Sequence, residues 1–250
     1  PMNHPRALVH IYQDGSVGIS TAAVEMGQGV NTKMLHIAAQ VFSIENSKVK
    51  IETTNTTRVA NTSPSAASST ADLNGKALLK ACNALLDRLK NVASETLDVS
   101  KDNIELKNEY VYVNGEKSEI TWTELISKTM LKRVALTENA HYATPIIHFD
   151  KTKEKGHPFA YHVYGTAIIT TTVDCTRGTY VFDDVKIVHD YGKSMSEGID
   201  LGQVEGALVQ GIGWMTMEEI AYNNKGKEVA KSFEKQIMLA TIDDAWKEQL

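Results

Sequence analysis

The chain has 250 residues, of which 42% are hydrophobic and 23% are charged, a composition typical of a globular domain with an ample core. Its formal net charge of −5 gives no general attraction to nucleic acid or to anionic membranes, so neither is expected as a partner. Two cysteines, Cys82 and Cys175, are too few for a disulfide framework or for an iron–sulfur cluster built from this chain alone. No signal peptide or apolar run of membrane-spanning length is visible, and a cytoplasmic location is therefore expected.

Apolar periodicity predicts strands and helices in alternation over the first hundred residues. A strand at 7–12 and its partner at 17–20 form a hairpin across Asp14-Gly15. Helical spacing predicts a helix over about residues 31–43, and alternation predicts a short strand over residues 49–53. A long helix then carries apolar residues at Leu73, Ala77, Leu78, Ala81, Leu85 and Leu89.

The second half of the chain is richer in β-structure. Residues 100–140 form a connecting layer with a hairpin turn at Asn114-Gly115 and a short helix from Trp122 to Leu131. The segment 161–190 predicts strands at 161–164, 167–169, 180–182 and 185–188, with a turn at Arg177-Gly178, before a helix over about 201–222. This order predicts an α+β fold with two α/β subdomains of mixed sheets and helices.

Three segments stand immediately before predicted helices and could converge on one ligand. They are Met26 to Gly29, the hydroxyl-rich run from Asn61 to Thr70, and Gly202-Gln203. Glycine lets a backbone approach a bound group closely, and a helix start offers unpaired N–H groups to an anion. The segments therefore suggest a large, polar, phosphate-bearing ligand.

Plainer interpretations of the same segments remain open. The first segment is also compatible with a tight strand-to-helix turn, and the hydroxyl-rich run with an ordinary flexible loop. A dinucleotide fingerprint fits less well because Thr32 stands where a third glycine is needed, and no Gly-Lys-Ser/Thr marks a P-loop.

No residue can be named as a catalyst or metal ligand from spacing alone. The eight histidines form no pair or cluster with zinc-ligand spacing. His36 fits a core or helix-edge position, and the acid pairs Asp183-Asp184 and Glu218-Glu219 fit a solvated surface. Neither cysteine lies in a nucleophile motif, and both are expected to be packed or incidental.

The sequence resembles the molybdenum-binding subunit of the xanthine dehydrogenases and aldehyde oxidases. The resemblance extends from about Ala7 to Lys227, and four blocks carry it: Val24 to Gly29, Asn61 to Ser68, Ala71 to Gly75 and Asp200 to Ala207. Weaker matches lie at His157-Pro158-Phe159 and at Val173 to Gly178. The Thr144-Pro145 stretch and Tyr222 to Gly226 are most similar to bacterial xanthine dehydrogenases.

This resemblance implies that residues 1–227 form the C-terminal half of a molybdopterin-binding domain. The cofactor would be molybdopterin, or its cytosine dinucleotide form, with molybdenum held by the pterin and by no protein side chain. Gln28, beside Met26 and Gly27, would contact the pterin or its phosphate, and Gln203 would hydrogen-bond the pterin. The implied cofactor-binding residues are Met26, Gly27, Gln28, Gly29, Ala66, Ala67, Ser68, Ser69, Thr70 and Gln203, of which Ala67 to Thr70 would line the phosphate side and Ala66 and Ala67 also approach the substrate.

The implied reaction is hydroxylation of a purine such as hypoxanthine or xanthine, or of an aldehyde, with oxygen from water. Iron–sulfur clusters and FAD on other domains or subunits would take the electrons. In the family the base is a glutamate in a glycine-rich motif beyond the last matching block, and an arginine and a phenylalanine that position the substrate lie upstream of Pro1. The chain is therefore expected to be a fragment cut at both ends, with no catalytic residue of its own and no activity by itself.

Residues 228–250 depart from this pattern. An apolar stripe predicts an amphipathic helix, and about 20 residues resemble part of the scaffold helix of the bacterial preprotein-translocase motor ATPase, without its nucleotide motifs. A chimera and a lineage-specific ending both remain open. Two other functions stay open too: a non-catalytic binding or assembly module, which could form a homo-oligomer through this helix, and an unrelated nucleotide-binding domain using the same glycine loops.

Overall fold

The structure is a computed structural model, and it describes residues 4–52, 54–66, 69–219 and 222. The chain divides into two compact units, Pro1–Glu197 and Gly198–Leu250. No helix among the described residues is long and apolar enough to cross a membrane. The predicted amphipathic helix at 228–250, and with it the predicted domain boundary after residue 227, lies outside the described residues.

The described elements are helices and strands in an α+β arrangement, as predicted. The helices are α1 (Val30–Phe42), α2 (Thr70–Leu97), α3 (Trp122–Leu131) and α4 (Glu197–Thr216). The strands are β1 (Arg6–Ile11), β2 (Val17–Thr21), β3 (Val49–Ile51), β4 (Ile104–Lys107), β5 (Tyr110–Val113), β6 (Glu116–Thr121), β7 (Thr137–His141), β8 (His148–Asp150), β9 (Lys155–His157), β10 (Gly165–Asp174) and β11 (Thr179–His189).

The main sheet of the first unit has the strand order β3-β2-β1-β7. β1 and β2 form the predicted antiparallel hairpin, with Ala7 opposite Thr21 and Ile11 opposite Val17. β2 and β3 are parallel neighbours, so α1 is the crossover of a β-α-β unit. The backbone therefore leaves the end of β2, passes through the glycine loop and enters α1 directly.

The core lies where α1 and α2 pack on this sheet. Alternate residues of β1 are buried, and every residue of β2 is buried. Met34 and Phe42 on α1, and Leu78 and Leu85 on α2, are fully buried in the same cluster. At about 25 cal/mol per Å² of apolar surface removed from water, such side chains are the main source of this unit's stability.

A second sheet, β4-β5-β6, and helix α3 close one side of this core. The indole ring of Trp122 is buried 5.5 Å from the ring of Phe42, and its Nε1 donates to the carbonyl of Gly15 at 2.7 Å. α3 begins with a capping box between Thr121 and Glu124. Trp122 thus connects α3 to the β1–β2 turn.

β7 joins the main sheet beside β1, although it follows β1 by more than a hundred residues. The guanidinium group of Arg88 on α2 donates to the carbonyls of Ala135 and Thr137 and also pairs with the carboxylate of Glu138. These contacts hold the strand against the side of α2. No strand was predicted here, because Ala140 is the one buried residue of β7.

The hairpin β10–β11 has a different character, because both of its faces are exposed. Ile168 and Ile169 are neighbours, so their side chains point to opposite faces, and they are 61% and 40% exposed. Val181 on β11 is also 62% exposed. The buried hydrophobic core of the described chain ends at Ala140.

Most of the predicted elements are confirmed to within a few residues. The helix from Trp122 to Leu131 and the turns at Asn114-Gly115 and Arg177-Gly178 are found as expected. The predicted strand at 161–164 is wrong, because this segment has no ladder partner and is a loop. The two strands predicted at 180–182 and 185–188 are one strand, β11, with a bulge in its pairing.

Gly15 offers a test of the contact with Trp122. Its φ is +83°, and a Cβ there would lie 2.9 Å from two atoms of the buried indole ring. Gly15→Ala should therefore lower the free energy of unfolding by about 2 kcal/mol in urea titrations. Gly115→Ala is the matched control: its φ is +85° with no atom within 4 Å, so only the backbone cost of about 1 kcal/mol is expected. Equal losses in the two variants would contradict the role given to the contact.

Candidate functional site

The loop between β2 and α1 contains the first of the three predicted segments. Gly27 and Gly29 have φ values of +96° and +75°, in the left-handed region that glycine tolerates without strain. Gly29 is also the N-cap residue of α1, and it has no side chain to cap the helix. The two glycines therefore turn the backbone so that several amide groups point inward at the start of α1.

The carboxylate of Glu25 accepts three of these amide hydrogens. Its Oε1 atom lies 2.9 Å from the nitrogen of Gly27 and 3.0 Å from that of Gly29, and its Oε2 atom lies 2.9 Å from the nitrogen of Asn31. The bond from Asn31, with smaller effects of the other loop amides, lowers the pKa of Glu25 below its ordinary value. The start of α1 thus already holds an anion, which is a side chain of the loop itself.

The Gln28 side chain is partly used within the same loop. Its Oε1 atom accepts from the backbone nitrogen of Met26 at 2.6 Å, and its Nε2 atom donates to the carbonyl of Val24 at 2.7 Å. A primary amide has two N–H groups and two lone pairs, so one of each remains for a ligand. Gln28 can therefore contact a bound group without breaking the loop.

The serine-rich run lies directly against this loop. The Ser65 hydroxyl accepts from the backbone nitrogen of Val24 at 2.9 Å and donates to the carbonyl of Ala22 at 3.2 Å. Ser63 pairs with His4 through its backbone nitrogen and its hydroxyl. Two of the three segments are therefore brought together, with Ser65 as the connection.

Helix α2 begins at the end of the serine-rich run. Its N-cap residue, Ser69, makes no side-chain cap, and its hydroxyl donates instead to the carbonyl of Ala66 at 3.1 Å. Ala67 and Ser68, two of the predicted site residues, lie outside the described residues. Unlike α1 and α3, α2 thus begins without a side-chain acceptor for its first amides among the described residues.

Two side chains in the first turns of α2 add polar character. Asn74 is buried, and its Nδ2 atom donates to the carbonyl of Thr70 at 2.9 Å, while its Oδ1 atom has no donor among the described residues. The Tyr161 hydroxyl donates to the carboxylate of Asp72 at 2.9 Å, and burial together with this bond raises the pKa of Tyr161 to about 12. Asp72 is thus held by a neutral donor.

The third segment belongs to the second unit. Gly202 and Gln203 lie in α4, Gln203 is exposed, and a Cβ at Gly202 would meet no atom within 4 Å. The role of Gln203 as a contact of the same ligand stays a prediction.

Sequence reasoning missed the residues that organise the two loops. In the sequence, Glu25 and Asn74 stand in blocks that match the family but have no predicted role, and Ser65 is one of several hydroxyl residues in its run. A carboxylate two residues before a glycine at a helix start is the one local signal that could have indicated Glu25. The contact of Ser65 with Val24 spans 41 residues and has no local signal.

Other chemistry is not indicated by the described residues. No group of three or more histidine, cysteine or acidic side chains in that part of the chain could hold a metal ion. Cys82 is buried, and burial raises its thiol pKa to about 12, so it is packed and unreactive. His36 is half-buried on α1, as expected, and one ring nitrogen lies 2.9 Å from the carbonyl oxygen of Met195.

Ser65→Ala tests whether this hydroxyl connects the two loops. Removing it leaves the Val24 nitrogen and the Ala22 carbonyl without this partner, and the free energy of unfolding should fall by about 1 to 2 kcal/mol. Hydrogen exchange at Val24 should accelerate. Ser47→Ala is a matched control, because that hydroxyl makes one exposed bond of 3.2 Å to Glu45 and its loss should cost less than about 0.5 kcal/mol. Unchanged exchange at Val24 would show that Ser65 does not hold the loops together.

Comparison with known proteins identifies relatives for nearly the whole chain. Residues 1–244 match the family described as the molybdopterin cofactor-binding domain. The xanthine dehydrogenase/oxidase of Mus musculus is 37% identical over 225 residues, which are 90% of this chain and 15% of that protein. Xanthine dehydrogenase 1 of Arabidopsis thaliana is 37% identical over 223 residues, or 89% of this chain and 15% of the plant protein. The chain thus spans about 15% of the length of these curated relatives.

Solved structures share the fold at lower identity. Quinoline 2-oxidoreductase from Pseudomonas putida 86 superimposes with a TM-score of 0.74 and 22% identity, covering 90% of this chain and 28% of that one. The Cu,Mo-CO dehydrogenase superimposes with a TM-score of 0.75 and 21% identity, covering 92% of this chain and 28% of the other. These likenesses confirm the predicted α+β fold.

Proposed function

Because this chain belongs to the family of molybdopterin cofactor-binding domains, we propose that it supplies one wall of the cofactor site of a molybdenum hydroxylase that oxidises purines. The observation that carries the proposal is the junction of two helix starts. Ser65 joins the glycine loop before α1 to the run that leads into α2, and these loops contain nine of the ten residues predicted to bind the cofactor.

The described residues fit a pterin with a phosphate group. The N-terminus of α2 carries the positive end of the helix dipole and is not capped by Ser69. Asn74 offers a buried amide oxygen without a described donor, and Gln28 keeps one N–H and one lone pair. We propose that Ser69, Thr70 and the adjacent Ala67 and Ser68 hold the phosphate end, while Gln28, beside Met26 and Gly27, faces the pterin.

When bound, the molybdenum cofactor supplies two-electron oxidation of the substrate carbon with oxygen from water. This chain's own residues bind and orient the cofactor. Two carboxylates lie at the described loops: Glu25 accepts three amide hydrogens, and Asp72 accepts from Tyr161. We propose that both carboxylates position their neighbours, and that the base, the iron–sulfur clusters and the FAD belong to other parts of the enzyme.

The relatives support a purine as the proposed substrate class. Xanthine dehydrogenases from animals and plants are 37% identical to this chain across about nine-tenths of its length. This supports a purine such as hypoxanthine or xanthine, with an aldehyde as the alternative. Ala66 is predicted to lie near the substrate, and it is exposed in this chain. Its exposure supports a pocket that other parts of the enzyme complete.

The exposed apolar surface supports the need for such parts. Ile169, Val173 and Phe182 share one face of the β10–β11 hairpin and are 40%, 62% and 36% exposed. Contiguous apolar surface of this kind usually marks an interface. We propose that the remaining molybdenum-domain segments cover this hairpin.

The first test measures the cofactor and the reaction in the same sample. The 250-residue chain, produced in cells that make molybdopterin, should retain pterin, detected by fluorescence of its oxidised form. It should show no hydroxylation of xanthine or hypoxanthine by itself, because the proposal assigns the base to another part of the enzyme. Complete absence of pterin would overturn the binding proposal, and turnover by the isolated chain would overturn the division of roles.

The second test separates cofactor binding from helix stability at α2. Ser69→Asp places a carboxylate at an uncapped helix start, so it should raise the free energy of unfolding by about 0.5 to 1 kcal/mol. The same charge should repel a phosphate and lower the pterin content. A purely structural role of Ser69 predicts no loss of pterin.

Thr121→Asp is the matched control for Ser69→Asp. Thr121 caps α3 and lies on a different element, so an aspartate there retains the cap and adds the same charge. Its pterin content should equal that of the wild type. Equal pterin content in both variants would contradict a phosphate site at α2.

A further inference from the structure

The amides at the start of α1 have the arrangement of an anion site, yet a side chain fills it. The nitrogen atoms of Gly27, Gly29 and Asn31 all lie within 3.0 Å of one oxygen or the other of the Glu25 carboxylate. These are the groups that the sequence hypothesis assigned to a ligand's phosphate. A carboxylate at the positive end of a helix is stabilised by the same forces as a bound phosphate would be.

The Glu25 interaction also fixes the rest of the loop. Between Glu25 and Asn31 the chain turns twice through left-handed glycines, and Glu25 contacts both of them. The same turn brings the Gln28 amide to the backbone of Met26 and Val24. Loss of the carboxylate would therefore release the amides and, with them, the position of Gln28.

We propose that Glu25 is the positioning residue of the cofactor loop: its carboxylate holds Gly27, Gly29 and Asn31 so that Gln28 faces the pterin, and it excludes phosphate from the start of α1. The identity of the ligand in this inference rests on the proposed function. The role of Glu25 in holding the loop rests on its three hydrogen bonds. The negative charge of Glu25 opposes a second anion at the same amides. The phosphate end of the cofactor is thereby directed to the start of α2.

Amide hydrogen exchange on the full 250-residue chain tests the mechanism without any cofactor. In Glu25→Gln, the amides of Gly27, Gly29 and Asn31 should exchange about tenfold faster, because hydrogen bonds to a charged acceptor are the strong ones. Exchange at buried Leu78 and Leu85 should not change, which shows that the variant is folded. Unchanged exchange at all three loop amides would overturn the proposal.

Glu124→Gln is the matched control. Glu124 also places a carboxylate on a backbone amide at a helix start, 2.8 Å from the nitrogen of Thr121, and its pKa is likewise lowered by that bond. This variant should accelerate exchange at Thr121 and leave Gly27, Gly29 and Asn31 unaffected. Acceleration of the loop amides in both variants would show general loosening and would overturn a specific role for Glu25.

The pH profile distinguishes a charged acceptor from simple packing. The pKa of Glu25 in the folded chain lies below its ordinary value. Protection of the loop amides should therefore persist below the ordinary glutamate pKa of about 4.3 and be lost only as pH falls through the lower folded value. Glu25→Gln should show no such step. A wild-type profile without the step would overturn the assignment.

Pterin content then connects the mechanism to the cofactor. Glu25→Gln should retain about one-tenth of the wild-type pterin, because a loop that is rarely in its binding conformation lowers the apparent affinity. Glu124→Gln should retain all of it. Equal or greater pterin in Glu25→Gln would mean that the freed amides bind the cofactor, which overturns the proposal. If the wild type holds no pterin, the proposed function fails, and the exchange experiment still decides whether Glu25 holds the loop.

Discussion

The close packing of α1 against α2 is the constraint on which both candidate cofactor loops depend. A Cβ at Gly75 would lie 2.9 Å from the Cδ1 atom of Ile37 and 3.6 Å from the Cε atom of Met34. The two helices are therefore in close contact about two turns from their N-termini. Val30, the first residue of α1, and Thr70, the first residue of α2, are both buried. The loops that precede these residues are thus held at one end by the core, and Ser65 needs to supply only a local connection between them.

The three helices α1, α2 and α3 differ in what accepts hydrogen bonds from their first backbone amides. These differences suggest that some helix starts are structural and that another is left for a ligand. α3 uses the capping box of Thr121 and Glu124, which is a purely structural solution. At α1 the acceptor is Glu25, which lies outside the helix, and its bonds hold the loop from Glu25 to Gly29 as well as the helix start. α2 has Ser69 in the N-cap position without a cap from its side chain. We therefore propose that a phosphate binds at α2, where the first amides have no side-chain acceptor among the described residues and the one first-turn acid, Asp72, accepts from the Tyr161 hydroxyl.

Local signals made much of the fold predictable. Asn114-Gly115 between alternating residues specifies a hairpin, and both residues have positive φ values in the structure. The helix from Trp122 to Leu131 is also encoded locally, because Thr121 and Glu124 form a capping box at its start. The tyrosine- and valine-containing segment at 161–164 has strand propensity, but propensity cannot supply a ladder partner, and the Tyr161 hydroxyl instead bonds to Asp72. β7 was missed because Arg88, rather than apolar alternation, holds it beside α2.

The candidate site was predictable as a set of loops, while its internal chemistry was not. The glycine segment and the serine-rich run are visible in the sequence because their composition is unusual. What the structure adds is the pairing of Glu25 with amides up to six residues away and of Ser65 with Val24. Such contacts depend on two left-handed glycines and on the packing of two helices, neither of which periodicity encodes. A glycine loop at a helix start first suggests that the backbone amides bind a ligand. In this chain the anion on those amides is the carboxylate of Glu25.

The part of the chain up to Ala140 has a buried core, whereas the β10–β11 hairpin is exposed, and this difference affects the order in which the two parts become stable. An isolated two-stranded hairpin is marginally stable in water, and β10–β11 presents Ile168, Ile169 and Val181 to solvent on two faces. The chain covers 28% of the solved proteins whose fold it shares, so most of their polypeptide has no counterpart here. The segment up to Ala140 has its own core and can hold the two cofactor loops in place. Because both faces of the hairpin are exposed, we propose that it becomes ordered when other parts of the protein cover it, after the loops that Glu25 and Ser65 hold have formed.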